Sequence, residues 1–235
     1  MSDVDETPTS LDSGHVAAIA ALDEPTRRRL YEFVVRQAAP VSRDEAAEAV
    51  GLPRATAVFH LDKLVAEGLL EVVYERRTGR SGPGAGRPSK LYRRSQAHIA
   101  VSLPERRYEL AARLLAGALH DTDASGEPPG DALRRRAHEV GKEIGEAARQ
   151  TGDPHAAVLR TLGDVGFEPR IDGDTVVLVN CPFHSLAQLH TELVCGMNLR
   201  LVDGVIDGLA ATGVTARLEP GPGRCCVQLV GPRSA

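Results

Sequence analysis

The chain has 235 residues, a formal net charge of −4 and an apolar fraction of 42%, enough for a core in one or two domains. No apolar run approaches the ~20 residues of a membrane span, and aromatics at 3% with no Trp give no support to a stacking platform for single-stranded nucleic acid. The acidic, polar start MSDVDETPTS is not a secretory signal. The expected location is therefore the cytoplasm, where the four cysteines serve metal ligation or redox chemistry, or stay inert and buried, rather than closing as disulfides.

Residues 1–13 read as a disordered arm, followed by a helix from Ser13 or Gly14 to Leu22. Asp23 is placed to cap the next helix, with Pro25 near its first turn. That helix runs to about Gln37, with Leu30, Tyr31, Phe33 and Val34 on its apolar side, and Pro40 stops it. Ser42 caps a short helix, Arg43–Val50, and Glu45 completes a capping box. Gly51 ends it, and Leu52 and Pro53 lead into RATAVFHLDKLVAEG. There Val58, Leu61, Leu64 and Val65 make the expected buried stripe. Arg54, Thr56, Ala57, His60 and Lys63 fall on the other side. Two short helices across a tight glycine turn, the second with a polar basic face, are the signature of a helix-turn-helix. Early residues of such a helix point into the groove, so Arg54 and Thr56 are candidate base contacts, and Lys63 a phosphate contact. His60 reads equally as a DNA contact and as an ordinary surface or half-buried histidine.

Leu70–Glu75 alternates as a half-buried strand, and Leu91 and Tyr92 resume one. Between them five of the seven residues from Gly82 to Pro88 are Gly or Pro, which describes a hairpin with a long tip, the wing. Residues 1–95 hold fourteen basic and fourteen acidic side chains, but residues 76–94 hold seven basic and no acidic ones. Within this cationic stretch Arg76, Arg77, Arg80, Arg87 and Lys90 are assigned to DNA, with Arg80 or Arg87 suited to a minor groove. The winged helix-turn-helix is placed at residues 14–95.

Two amphipathic helices follow, PERRYELAARLLAGALH from Leu103 and ALRRRAHEVGKEIGEAARQ after a loop at 121–130. Residues 103–150 are read as a helical linker and dimerisation region, with packing against the chain's own C-terminal domain as the competing use. Residues 153–232 read as a small α+β unit. It contains a helix from His155 to Val165, paired strands Phe167–Arg170 and Thr175–Asn180, helices Ser185–Val194 and Asn198–Ala211, and closing strands Thr215–Leu218 and Cys225–Val230. The fold class is α+β.

All four cysteines lie in this last region. Thirteen residues separate Cys181 from Cys195, and twenty-nine separate Cys195 from Cys225. There is no CxxC pair, so spacing alone is a weak sign of zinc. Placement adds to it: Cys181 at a strand end, Cys195 at a helix junction, Cys225 and Cys226 opening a strand. Neighbouring strand residues point to opposite faces. This favours Cys225, in phase with Val227 and Leu229, over Cys226, which enters only if the strand begins with a bulge. His184 and His190 are candidate nitrogen ligands or plain surface histidines. No nucleophile elbow, P-loop or dinucleotide fingerprint is present, so no enzyme activity is expected.

The run LDEPTRRRLYEFV…VSRDEAAEAVGLPRATAVFHLDKLVAEGLL resembles the winged-helix repressors of the ArsR type. That resemblance implies binding of double-stranded DNA. The arsenic- and zinc-sensing branches carry metal ligands in these helices; this chain has no cysteine before Cys181, so those sites do not carry over. The run NCPFHSLAQLHTELVC…GRCCVQL resembles the C-terminal domain of the SufR-type iron-sulfur regulators, whose three cysteines map to Cys181, Cys195 and Cys225. The doubled Cys225–Cys226 departs from that pattern and points to a sister branch with another cluster type or a different cofactor; Cys226 joins the candidate metal residues, with the fourth ligand left open. This resemblance implies a homodimeric repressor on a palindromic operator, controlled by a cysteine-ligated iron-sulfur cluster. The alternatives are structural zinc, direct thiol redox chemistry, or a small-molecule effector.

Overall fold

The structure, a computed structural model, describes residues 12–76, 88–149, 152–221 and 223–231. The chain divides into two compact units, Leu11–Val101 and one built from Ser102 onward. Most of the expected N-terminal arm lies outside the described residues.

The first unit runs α1 (Ser13–Ala21), α2 (Pro25–Val35), β1 (Val41–Ser42), α3 (Arg43–Val50), α4 (Arg54–Ala66), β2 (Leu70–Glu75), β3 (Ser89–Arg94). The strands form an antiparallel sheet in the order β1-β3-β2, with Tyr92 opposite Val41 on one side and Val72 on the other. Helix α2 is capped by Glu24 rather than Asp23: its carboxylate accepts from Thr26 N at 2.9 Å and Arg27 N at 2.7 Å. The capping box of α3 forms as expected between Ser42 and Glu45. Gly51 takes φ +70°, a left-handed conformation that costs glycine little, and so turns the chain from α3 into α4. The arginine-rich start of α2 works on the backbone. Arg28 donates to Leu22 O at 2.8 Å, and Arg29 to Val50 O at 2.9 Å, tying α2 to the end of α3. Leu30, Val34, Val50, Leu61, Leu64 and Tyr92 share the core of this unit.

The second unit contains α5 (Tyr108–Ser125), α6 (Pro129–Ala147), α7 (Pro154–Asp164), β4 (Pro169–Asp172), β5 (Thr175–Leu178), α8 (His184–Leu189), α9 (Thr191–Gly208), β6 (Thr215–Leu218) and β7 (Val227–Val230). Its sheet is antiparallel in the order β4-β5-β7-β6. The helices read as a separate linker belong to this unit. Ala111, Leu114, Leu133 and Ala137 share one core with Leu178, Leu201, Val205 and Val227. The reason lies in four glycines. Gly141 and Gly145 of α6 face α9, and Gly204 and Gly208 of α9 face α6. A Cβ on any of them would overlap a carbonyl oxygen of the opposing helix, those of Leu201, Val205, His138 and Lys142 respectively. The two backbones touch, which only glycine permits.

Residues 103–107, expected to open the first linker helix, are not helical. The helix begins at Tyr108, where the chain leaves a set of hydrogen bonds to the loop after β5. The expected break before Asn198 is also absent. Helix α9 runs unbroken through Gly196, so Cys195 sits in its second turn rather than at a junction. The ~1 kcal/mol cost of a mid-helix glycine is outweighed by burial of Val194, Met197, Leu201 and Val202. Strand β7 begins at Val227, but backbone bonds continue before it: Cys225 N donates to Leu178 O, and Glu219 N to Cys226 O, both at 2.7 Å.

Candidate functional site

Helix α4 is the second helix of the helix-turn-helix. It packs through Ala57, Leu61 and Leu64, all fully buried. Ala57, expected on the outer side, is therefore core, and Val58 is half-buried. The outer face carries Arg54, Ala55, Phe59, Asp62, Lys63 and Ala66. Arg54 is exposed and paired with Asp44 at 2.9 Å, Lys63 is paired with Glu67, and Thr56 is half-buried. Solvent-exposed pairs of this kind are worth at most about 1 kcal/mol. They hold the cations in place yet yield readily to a phosphate.

His60 is turned away from that face. Its ring is half-buried against the start of α2, with Nδ1 3.4 Å from Glu24 Oε2 and making no hydrogen bond. It bridges α4 and the start of α2, the half-buried position that is the alternative to a DNA contact. Phe59, on the exposed side of α4, is not among the residues the sequence pattern assigns to DNA. Its position two residues before Leu61 puts it about 200° around the helix from the buried stripe, so the periodicity held the signal.

On the wing, Arg76 is exposed. Arg77, Arg80 and Arg87 lie outside the described residues. Lys90 reaches from β3 to Asp62 of α4 at 2.6 Å and lies 5.2 Å from the Tyr92 ring centroid. Tyr92 donates to the same carboxylate at 2.9 Å. Partial burial raises the Asp62 pKa, but these two donors outweigh it and hold the carboxylate below its usual range. The acidic residue on the outer face of α4 is thereby neutralised.

The cysteines come from three places: Cys181 in the loop after β5, Cys195 on α9, and Cys225 and Cys226 ahead of β7. The structure joins them in two pairs. Contrary to the expectation that the cysteines would not close as disulfides, Cys195 and Cys226 are paired as one, with a Cα–Cα distance of 6.3 Å, because α9 and the entry to β7 bring them together. Cys181 and Cys225 are free and buried. Cys225 hydrogen-bonds to Cys181, and that bond, with the Phe183 N–H and the Arg106 charge, lowers the Cys181 thiol to about 7 against the opposing effect of burial. The same bond and deep burial push the Cys225 thiol upward. Asn198, one turn beyond Cys195 on α9, donates to Cys225 Sγ at 3.1 Å. Its Oδ1 is buried without a partner. Both members of the doubled cysteine are used, because the irregular backbone before β7 lets them face different sulfurs. The inward phase expected for Cys225 agrees with its 2% exposure.

With Cys195 and Cys226 joined, no three His, Cys, Asp or Glu side chains among the described residues are arranged to hold a metal ion. Reduction of that disulfide would return two thiols to the unit that also holds Cys181 and Cys225, one of them at the residue after Cys225. Four soft sulfurs with an amide N–H already on one of them is the donor set that iron-sulfur clusters use, so these residues fit such a group. His184 opens α8 and His190 follows its last residue; both are exposed.

The loop carrying Cys181 is bound to the residues that follow the first unit in the chain. Arg106 donates to Asn180 Oδ1 at 2.5 Å and to Cys181 O at 3.3 Å. Arg107 N donates to Pro182 O at 3.1 Å, and Tyr108 OH to Ser185 Oγ at 2.8 Å.

The fold of the first unit defines a class: helix-turn-helix proteins with a winged-helix sheet. A family model described as a helix-turn-helix domain matches residues 22–73, which takes in α2, β1, α3, α4 and the start of β2. Geometry and match together make this the DNA-binding unit of a transcription regulator of the winged-helix kind. No curated protein and no solved structure matches the chain significantly. Among the described residues no helix is long and apolar enough to cross a membrane.

Proposed function

We propose that this protein is a cytoplasmic, homodimeric repressor without catalytic activity. In this reading it binds a palindromic operator, and its affinity is governed by an iron-sulfur cluster held on Cys181, Cys195, Cys225 and Cys226. The observation that carries the reading is that four cysteine sulfurs, two free and two paired as a disulfide, come from three elements of one unit, with Cys181 on a loop that is itself fastened to residues 105–108. That segment leads out of the DNA-binding unit along the chain.

Arg54 and Thr56 would meet base edges, and Lys63, Lys90 and Arg76 phosphates, as would Arg77, Arg80 and Arg87. Asn198 would hold its N–H on the Cys225 sulfur, and Arg106 would set its positive charge against the Cys181 thiolate. When bound, the cluster supplies a charge and an occupancy that respond to oxidant and iron supply. Arg106, Arg107 and Tyr108 would pass any shift of the Cys181 loop to the start of α5. Such coupling requires the loaded and empty protein to differ in operator affinity, by more than about tenfold, or 1.4 kcal/mol.

The test is anaerobic reconstitution with iron and sulfide, followed by metal analysis and titration of a selected duplex with loaded, empty and air-exposed protein. Visible absorbance lost in each of Cys181→Ser, Cys195→Ser and Cys225→Ser, together with the tenfold difference, supports the reading. Equal affinities after demonstrated cluster loss reduce the centre to a structural one.

A second reading is favoured by the Cys195–Cys226 disulfide itself: direct thiol sensing. The two thiols would give up two protons, and two electrons to an oxidant such as peroxide, as the S–S bond forms. In that case affinity changes with oxidant and reductant in metal-free protein.

A further inference from the structure

We propose that Phe59 is a specificity residue: its ring packs on the 5-methyl group of a thymine in the major groove. This rests on the DNA-binding reading above. Phe59 is 67% exposed. It is the large apolar side chain that α4 leaves in solvent, and it contributes nothing to the core of the unit. Leaving such a ring in water gains no folding energy, since its apolar area is only recovered when something covers it. The ring is presented in a defined way. It meets the His60 ring edge-on, centroids 5.3 Å apart and planes at 71°, and His60 is half-buried against Glu24.

The surroundings specify the occupant. Ala55, one turn earlier, is exposed and apolar, and Arg54 and Lys63 flank the pair on the same face. The carboxylate of Asp62, which would repel nucleic acid, is neutralised by Lys90 and Tyr92. A phenyl ring has no donor or acceptor to offer a base edge. The apolar group that the major groove displays is the thymine methyl. With Ala55 and Phe59 at i and i+4, the strip suits a thymine-containing step in each half-site.

The probe is a duplex selected by the full-length protein from a random-sequence pool, compared with copies in which deoxyuridine replaces thymidine at one position at a time. Wild type should lose about fourfold in affinity at one symmetry-related position per half-site, the ~0.8 kcal/mol of one buried methyl. Phe59→Ala should bind the thymidine and deoxyuridine copies equally there, with an unchanged salt slope. Phe59→Leu, which keeps an apolar tip, should retain part of the discrimination. Equal thymidine preference in wild type and Phe59→Ala overturns the inference. So does a gain on 5-methylcytosine without any loss on deoxyuridine. A change of oligomeric state in Phe59→Ala also overturns it, because the ring would then belong to a protein interface. If the pool yields no duplex at all, the DNA-binding reading fails instead.

Discussion

Asn180, 6% exposed, accepts a hydrogen bond from Arg106 at 2.5 Å. With its amide it holds the carbonyls of Glu105 at 3.0 Å and Gly166 at 2.7 Å. One side chain thus joins the residue before Cys181 to the segment ahead of α5. Asn180→Ala should destabilise the second unit by about 1–3 kcal/mol, since it removes three hydrogen bonds and leaves the buried Gly166 carbonyl without its amide donor. Denaturant unfolding measures this. Arg106→Ala, whose own side chain is only half-buried, should cost less in stability, yet it should shrink the affinity difference between loaded and empty protein.

The pairing of cysteines makes a countable prediction. Denatured before any reductant, air-handled protein should show two titratable thiols, Cys181 and Cys225, and four after reduction. Mass mapping should find Cys195 and Cys226 together. Closing a loop of 31 residues restricts the unfolded chain, so Cys226→Ser should lower the stability of the oxidised protein by roughly 3–4 kcal/mol in the chain-entropy account. Thiol titration with a stability curve in oxidised and reduced buffer checks both.

The glycines of α6 and α9 should not be equivalent to their neighbour. Gly204→Ala drives a methyl group into the His138 carbonyl, and overpacking against backbone should cost about 3 kcal/mol or more. Gly196→Ala, in the same helix with nothing within 4 Å of the new Cβ, should instead stabilise by roughly 0.5–1 kcal/mol. Thermal melts of the two variants decide it.

Asp62 and Lys90 make the first unit's stability depend on pH in a defined direction. The Asp62 pKa is depressed, so its contribution is present above the unfolded carboxylate pKa and is lost as pH falls through the folded value. The Lys90 pKa is raised, first by its bond to Asp62, so its contribution is complete below the unfolded lysine pKa and is lost as pH rises through the folded one. Asp62→Asn should therefore lower stability between roughly pH 4 and pH 10, by no more than about 1 kcal/mol for so exposed a pair. Wild type and variant should converge on the acid side. A difference that grows in acid would contradict the pairing.

The helix-turn-helix was legible in the chain because its determinants are local. Ser42 with Glu45 makes a cap, Gly51 a turn, and Leu61 with Leu64 a stripe, all within a few residues of one another. The same periodicity places Phe59 on the side of α4 away from the stripe. His60 was ambiguous because its burial is set by Glu24, thirty-six residues earlier, which arrives only when α2 packs on α4.

In the second unit, sequence alone determined the two hairpin pairs and the confinement of the cysteines to one region, but not the β5–β7 pairing that joins the hairpins into one sheet. Two further things were decided only in three dimensions. Helix α6 lies on α9 because glycines far apart in the chain let two backbones meet. The sulfurs pair as Cys195 with Cys226 and Cys181 with Cys225 because Asn198, the Cys225–Leu178 backbone bond and the irregular entry to β7 aim them. Spacing along a chain records which residues are available. It does not record which side chains a helix crossing and a strand end will turn toward each other, because that direction is fixed by contacts between elements distant in sequence.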